Sequence, residues 1–136
     1  MPRLDTTPQP AAASNPEPPI RHTVLSGEHG HWFEIGPEGG HVAHVHVIQC
    51  RSFAWIEEIA VHPAHRGRRL ATRLLTAVIA EFGDQDLALS CSAFVSDTYW
   101  EPKRPGLNNE QLRAWYGRHG FHGDSGDARL IREASN

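Results

Sequence analysis

Cysteine is scarce in this chain. There are two in 136 residues, Cys50 and Cys91, far apart in sequence. Two so placed form neither a disulfide framework nor the paired spacing of a zinc site. Long apolar runs are also lacking: none approaches the ~18–20 residues a membrane-spanning helix needs. No hydrophobic leader opens the chain. These absences make a reducing cytoplasm the expected compartment. An excess of one charge is missing too. The net charge is −3 with histidines neutral, so the chain as a whole is no binder of polyanions.

Basic residues are nevertheless concentrated. Four of the thirteen Lys and Arg fall within residues 66–73, and that local patch is the informative electrostatic feature. Prolines are uneven as well. Residues 1–19 hold six of the ten, with three consecutive alanines and little to bury. That composition predicts a disordered tail at 1–19 and one folded domain over 20–136.

The patch sits in a strand–turn–helix. Trp55 to Val61 is rich in aromatic and β-branched residues and reads as a strand. Pro63 stops it, because proline lacks the N–H that a central strand uses. A helix is expected to begin near Arg68. From there Leu70, Leu74, Leu75, Val78, Ile79 and Phe82 fall at helical spacing and make one apolar stripe. The first N–H groups of that helix, over residues 67–72, have no partner within it and lie at the positive end of its dipole. Such a terminus binds anions. Gly67 lets the backbone approach a ligand without a Cβ in the way. Arg66, Arg68, Arg69 and Arg73 work against the dipole unless a polyanion such as a diphosphate offsets both.

Upstream, Ile20 to Leu25 and His31 to Ile35 read as strands. Residues 36–40, Gly-Pro-Glu-Gly-Gly, are a hairpin turn. His41 to Gln49 follows, with a mixed pattern suited to burial on both faces. Downstream, Leu87 to Phe94 reads as a strand parallel to Trp55–Val61 through a right-handed crossover. A polar loop spans 95–108. Asn109 to His119 is a second helix, ended by Gly120, and Phe121 to Ile131 reads as a closing hairpin. The expected class is α/β: a mixed, mostly antiparallel sheet with a central parallel strand pair, flanked by two helices.

At Arg66-Gly67-Arg68-Arg69-Leu70-Ala71 the chain resembles the GNAT superfamily of acyl-CoA-dependent N-acetyltransferases, whose diphosphate signature is Arg/Gln-x-x-Gly-x-Gly/Ala after a strand. Arg66 and Ala71 match, and Arg69 stands where the family has its middle glycine. The second helix carries a further signature at the right spacing, in Asn109, Tyr116, Gly120 and Phe121. The resemblance covers roughly residues 28–132. One departure is large. The family places two helices between its first two strands, where only a few residues separate Leu25 from His31. The acceptor side is therefore expected to be unusually open, or completed by the tail or a partner subunit, a homodimer included.

The resemblance implies acetyl transfer from acetyl-CoA to a primary amine of a small molecule or peptide. It implies that Ile59, Ala60 and Val61 hold the pantetheine arm like an extra strand. The turn residues Arg66, Gly67, Arg68, Arg69, Leu70, Ala71 and Thr72 would hold the diphosphate. A backbone N–H near Val61 would donate to the thioester oxygen, an effect of ~3 kcal/mol in other acyl transfers. Glu57 is the first candidate for the base that deprotonates the amine, with Glu58 its rival, since neighbours on a strand face opposite sides. Otherwise both are solvent-facing glutamates. Tyr116 is the candidate acid for the leaving thiolate, its unperturbed pKa of about 10 lying above a thiol's ~8.5; otherwise it is a packed aromatic. Asn109 would fix a cofactor amide, or cap its helix.

Other constellations carry less. His44 and His46 share a strand face, but with His41, His62 and His65 they gain no completing Cys or carboxylate, so no metal is expected. They could line the acceptor cleft. Cys91 reads as a small core residue. A nucleic-acid role for the basic patch is disfavoured by the overall negative charge, and no membrane partner is expected. The competing function is a binding module that retains acetyl-CoA recognition without turnover.

Overall fold

A computed structural model describes residues 18–25, 29–37, 39–91, 107–124 and 127–135. Most of the expected tail at 1–19, the last three residues of the strand expected at 87–94, most of the loop at 95–108 including Trp100, and residues 125–126 within the expected closing hairpin lie outside the described residues.

Six strands form one sheet in chain order: β1 Ile20–Val24, β2 Gly30–Ile35, β3 Ala43–Gln49, β4 Phe53–Val61, β5 Asp86–Ser90 and β6 Arg129–Arg132. Every neighbouring pair is antiparallel except β4 and β5. Helix α1, Leu70–Phe82, makes the crossover between those two, and α2, Asn109–Gly117, lies between β5 and β6. The class expected from the sequence is the one observed. At the two ends of the β1–β2 connection, the Leu25 N–H donates to the Gly30 carbonyl at 2.9 Å. The β2–β3 turn needs glycine twice, at Gly36 (φ 120°) and Gly39 (φ 78°).

The α1 stripe supplies the core. Leu70, Leu74, Leu75, Val78 and Phe82 are buried, against Phe33, Ile35, Val45, Val47, Ala54, Ile56, Leu87 and Leu89. Each such aliphatic or aromatic side chain contributes about 1.5–3 kcal/mol when fully buried. Ile79 is only partly buried, at the margin of the stripe. These sheet residues alternate along their strands, so they share one face. The other face carries Trp32 and Glu34 on β2 and His44 and His46 on β3, paired across the strands as Trp32 with His46 and Glu34 with His44.

Several boundaries move. The fourth strand starts two residues early, at Phe53, and α1 starts at Leu70 rather than near Arg68. The strand expected at 87–94 runs from Asp86 to Ser90. The closing hairpin shrinks to one bridge between His122 and Ile131. Residues Arg129–Arg132 pair with β5 instead, because Leu130 enters the core beside Leu89.

Candidate active site and diphosphate turn

Strand β4 holds two irregularities, and both face the candidate site. The first is in its pairing with β5, which runs only from Phe53 with Asp86 to Ile56 with Leu89. Among the described residues, no strand continues that ladder alongside Glu57–Val61. Among the described residues, that edge leaves backbone donors and acceptors for an extended ligand.

The second is a bulge. Val47 pairs with Ile56 and His46 with Glu58, so Glu57 has no residue opposite it. One extra residue reverses the alternation beyond it. Ala54 and Ile56 face the core before the bulge, and Ile59 and Val61 pack against the core after it. Glu58 thereby moves to the face of Trp32 and His44. Its Oε2 lies 2.5 Å from His44 Nε2. Glu57 reaches the same face, accepting the Trp55 indole N–H at 2.9 Å. The strict alternation expected for this pair is thus wrong here. Both carboxylates lie on one face, Glu57 exposed and Glu58 partly buried.

Beyond Val61 the chain turns through a short 3-10 helix, Pro63–His65, in which His62 Nδ1 accepts the Ala64 N–H at 3.0 Å. Gly67 follows at φ 83° and Arg69 at φ 60°. Two left-handed residues turn the chain abruptly into α1. A Cβ at Gly67 would meet nothing within 4 Å. Gly67 is required by its φ, and the space beside it is open. Arg69 is the N-cap of α1 and makes no side-chain cap bond. The Arg73 N–H closes the first turn on the Arg69 carbonyl at 3.0 Å. The N–H groups of Leu70, Ala71 and Thr72 therefore have no partner inside the helix. The leucine side chain itself goes into the core. Arg66, Gly67, Arg68 and Arg69 are all exposed. Burial, then the Arg68 cation and His62, push His65 below the usual imidazole range, so it adds little charge near neutral pH. Arg73 points elsewhere than expected: its guanidinium donates to the Pro18 carbonyl at 2.7 Å and straps the start of β1 to α1.

The third element is α2. Asn108, not Asn109, is its N-cap. The Asn108 side chain accepts the Gln111 N–H at 2.8 Å while Gln111 Oε1 accepts the Asn108 N–H at 2.9 Å. That capping box removes the structural alternative for Asn109, whose side chain is exposed. The Asn109 carbonyl accepts from the Cys91 thiol at 3.9 Å, which ties α2 to the end of β5. Tyr116 is the buried residue of this helix, edge-on to Phe121 at 5.6 Å. Burial first, then neighbouring Cys91, pushes its hydroxyl above the usual phenol range. The phenol is therefore held protonated at any physiological pH. Burial likewise raises the Cys91 thiol, which suits a core residue and not a nucleophile.

Around Glu58 is a polar array that the motifs did not indicate. Trp32 stacks on His44 at 4.4 Å and 20°, and its indole donates to Glu34 at 2.9 Å. Burial alone would raise Glu34. Hydrogen bonds from Trp32 and Arg21, with the charges of Arg21 and His41, outweigh it and hold the carboxyl below its ordinary range. The available signal was the two-residue spacing of Trp32 with Glu34 and of His44 with His46 on paired strands. No helix among the described residues is long and apolar enough to cross a membrane.

Among the described residues, a strand edge that parts at Ile56 leads through a left-handed turn into a helix N-terminus, the layout of an α/β domain with a crossover helix behind its parallel strand pair. Residues 27–123 match the family model described as an acetyltransferase (GNAT) domain. The chain belongs to that family. Solved structures share the fold at low identity. A putative GNAT-family acetyltransferase from Bacteroides thetaiotaomicron has TM-score 0.54 and 16% identity, covering 82% of this chain and 65% of that one. A putative acyl-CoA N-acyltransferase from Klebsiella pneumoniae has TM-score 0.56 and 18% identity, covering 82% and 77%. The PaiA N-acetyltransferase of Thermoplasma acidophilum, solved with coenzyme A, has TM-score 0.51 and 12% identity, covering 75% and 59%. The chain thus spans less than two thirds of the length of the first and third of these. No curated protein matches it.

Proposed function

We propose that the chain is an acetyl-CoA-dependent N-acetyltransferase acting on a primary amine. The observation that carries the proposal is the parting of β4 from β5 at Ile56, immediately before a helix start with three unpartnered amides. In this reading Ile59, Ala60 and Val61 bind the pantetheine arm along the free edge. The amides of Leu70, Ala71 and Thr72 take the diphosphate, with Arg66, Gly67, Arg68 and Arg69 around it. The open space beside Gly67 and the exposed cations fit such a group. Asn109 binds the cofactor from the β5 side.

Glu58 is the favoured base over Glu57, because a partner fixes its carboxylate while Glu57 is exposed. It accepts a proton from the acceptor ammonium, directly or through water, which frees the lone pair for attack on the thioester carbonyl. A β4 backbone N–H near Val61 stabilises the oxyanion. The carbon–sulfur bond then breaks as Tyr116, kept neutral by burial, donates its proton to the departing thiolate; the second proton shed by the acylated nitrogen restores the phenol, and Glu58 releases the first to solvent. Two free cysteines and this co-substrate suit a reducing, cytoplasmic setting.

The test joins binding to turnover. Coenzyme A at a hundredfold excess over Kd should stabilise the fold by about 2.7 kcal/mol, read as a melting shift. Acetyl-CoA with an amine panel should release free thiol. A melting shift without thiol release on any amine would leave a binding module. Absence of both would refute the proposal.

A further inference from the structure

The reaction scheme leaves one buried group without a task. Among the described residues, His44 is the buried polar side chain, at 0% exposure. Its Nε2 faces Glu58 Oε2 at 2.5 Å, and its Nδ1 faces His41 Nε2 at 3.1 Å. His41 Nδ1 in turn lies 3.4 Å from Glu34 Oε2. Arg21 from β1 closes the row, 2.9 Å from Glu34 Oε1. The row therefore crosses the sheet from β4 to β1 and has a carboxylate at each side of two imidazoles.

Counting hydrogens shows what this row holds. An ionised carboxylate only accepts. The hydrogen between His44 and Glu58 therefore sits on His44 Nε2. The other ring nitrogen of His44 then accepts the Nε2–H of His41. His41 Nδ1, at 3.4 Å, is a charge contact of Glu34, and Arg21 holds that carboxylate from the far side. Also on this face, among the described residues, are His46 on β3, beside Trp32, and Glu57, turned to Trp55, with Asp86 on β5 and Arg129 on β6 further across the sheet.

We propose that His44 and His41 are positioning residues for Glu58: a hydrogen-bonded imidazole pair that pins Oε2 and leaves Oε1 for the acceptor amine. The proposal rests on the acetyltransferase reading with Glu58 as base. Trp32 and His41 fix the His44 ring from two directions, so the carboxylate plane is set before substrate arrives. Pre-set geometry of this kind removes reorganisation from the proton-transfer step.

The test is steady-state thiol release from acetyl-CoA across about pH 6 to 9. Spermidine, tyramine, L-lysine amide and kanamycin serve as acceptors, and the parent is compared with His44→Phe, His44→Gln and His41→Gln. His44→Phe should lose about tenfold or more in kcat, with KM for acetyl-CoA within about twofold of the parent. The acidic limb of its kcat/KM profile should move to higher pH. His44→Gln, whose amide can still donate to Oε2, should recover part of the rate. His41→Gln should move the limb in the same direction. It decides the matter if the His44 variants do not fold, since His41 is partly exposed. Variants that melt with the parent and keep its kcat and acidic limb would overturn the tether while leaving the acetyltransferase reading intact. A parent that turns over none of the four amines overturns that reading first, before any substitution is made, and the tether with it.

Discussion

Arg69 occupies a conformation that suits glycine, and the cost can be worked out. At φ 60° and ψ 24°, a residue with a Cβ is strained by about 1–2 kcal/mol. A cation at a helix N-terminus adds about 0.3–1 kcal/mol of unfavourable dipole interaction. Glycine would remove both terms but lose about 0.5–1 kcal/mol through the greater freedom of its unfolded chain. Arg69→Gly should therefore stabilise the ligand-free protein by about 1 kcal/mol, a rise in melting temperature of about 4 °C for a domain this size. Gly67→Ala should do the reverse. Its new Cβ meets no protein atom within 4 Å, so only the φ of 83° opposes it, at about 1–2 kcal/mol, less the ~0.5–1 kcal/mol that alanine recovers by restricting the unfolded chain. Coenzyme A should invert the ranking for Arg69. The parent should gain more from the ligand than Arg69→Gly, because the strained residue holds a cation beside the diphosphate. The assay is thermal melting of the three proteins with and without saturating coenzyme A. An Arg69→Gly protein that melts at or below the parent without ligand would refute the strain argument. An equal ligand shift in both would refute the role of the cation.

Two further outcomes follow from burial. The Tyr116 hydroxyl is raised above its unfolded value of about 10, so its share of stability is complete below that pH and lost as pH climbs above it. Melting temperature should fall above about pH 10 in the parent and less steeply in Tyr116→Phe; parallel curves would contradict this. Tyr116→Phe should also lower kcat by about 10²-fold with KM for acetyl-CoA little changed. Buried Cys91 should resist alkylation by iodoacetamide in the folded protein while partly exposed Cys50 is labelled, as mass spectrometry would read. Equal labelling would show that the end of β5 is open.

What the sequence disclosed was what local chemistry dictates. The α1 stripe was legible because its apolar residues recur at helical spacing. The β2–β3 turn was legible because Gly36 and Gly39 stand where positive φ occurs. The family signatures marked the turn before α1 and the position of α2. The bulge at Glu57 was not legible, because no glycine or proline marks it and it exists only through the register against His46 and Val47. Hence the relation of Glu57 to Glu58 was misjudged. Arg73 looked like part of the basic patch, yet it lies one turn further along α1, where the Pro18 carbonyl is within reach. Asn109 and Asn108 are adjacent and chemically alike. Only the reciprocal bonds with Gln111 show which one caps the helix.

The parted edge of β4 has a consequence for handling the protein. A bare row of main-chain groups next to an apolar interior invites any passing extended peptide to dock there, another molecule of the same kind included. Two adjacent carboxylates guard only the near end of that row, since Ile59, Ala60 and Val61 carry no charge. Stocks without coenzyme A should accordingly be the ones that clump on storage, and the conjugate proposed for this gap should act as a solubiliser as well as a reactant.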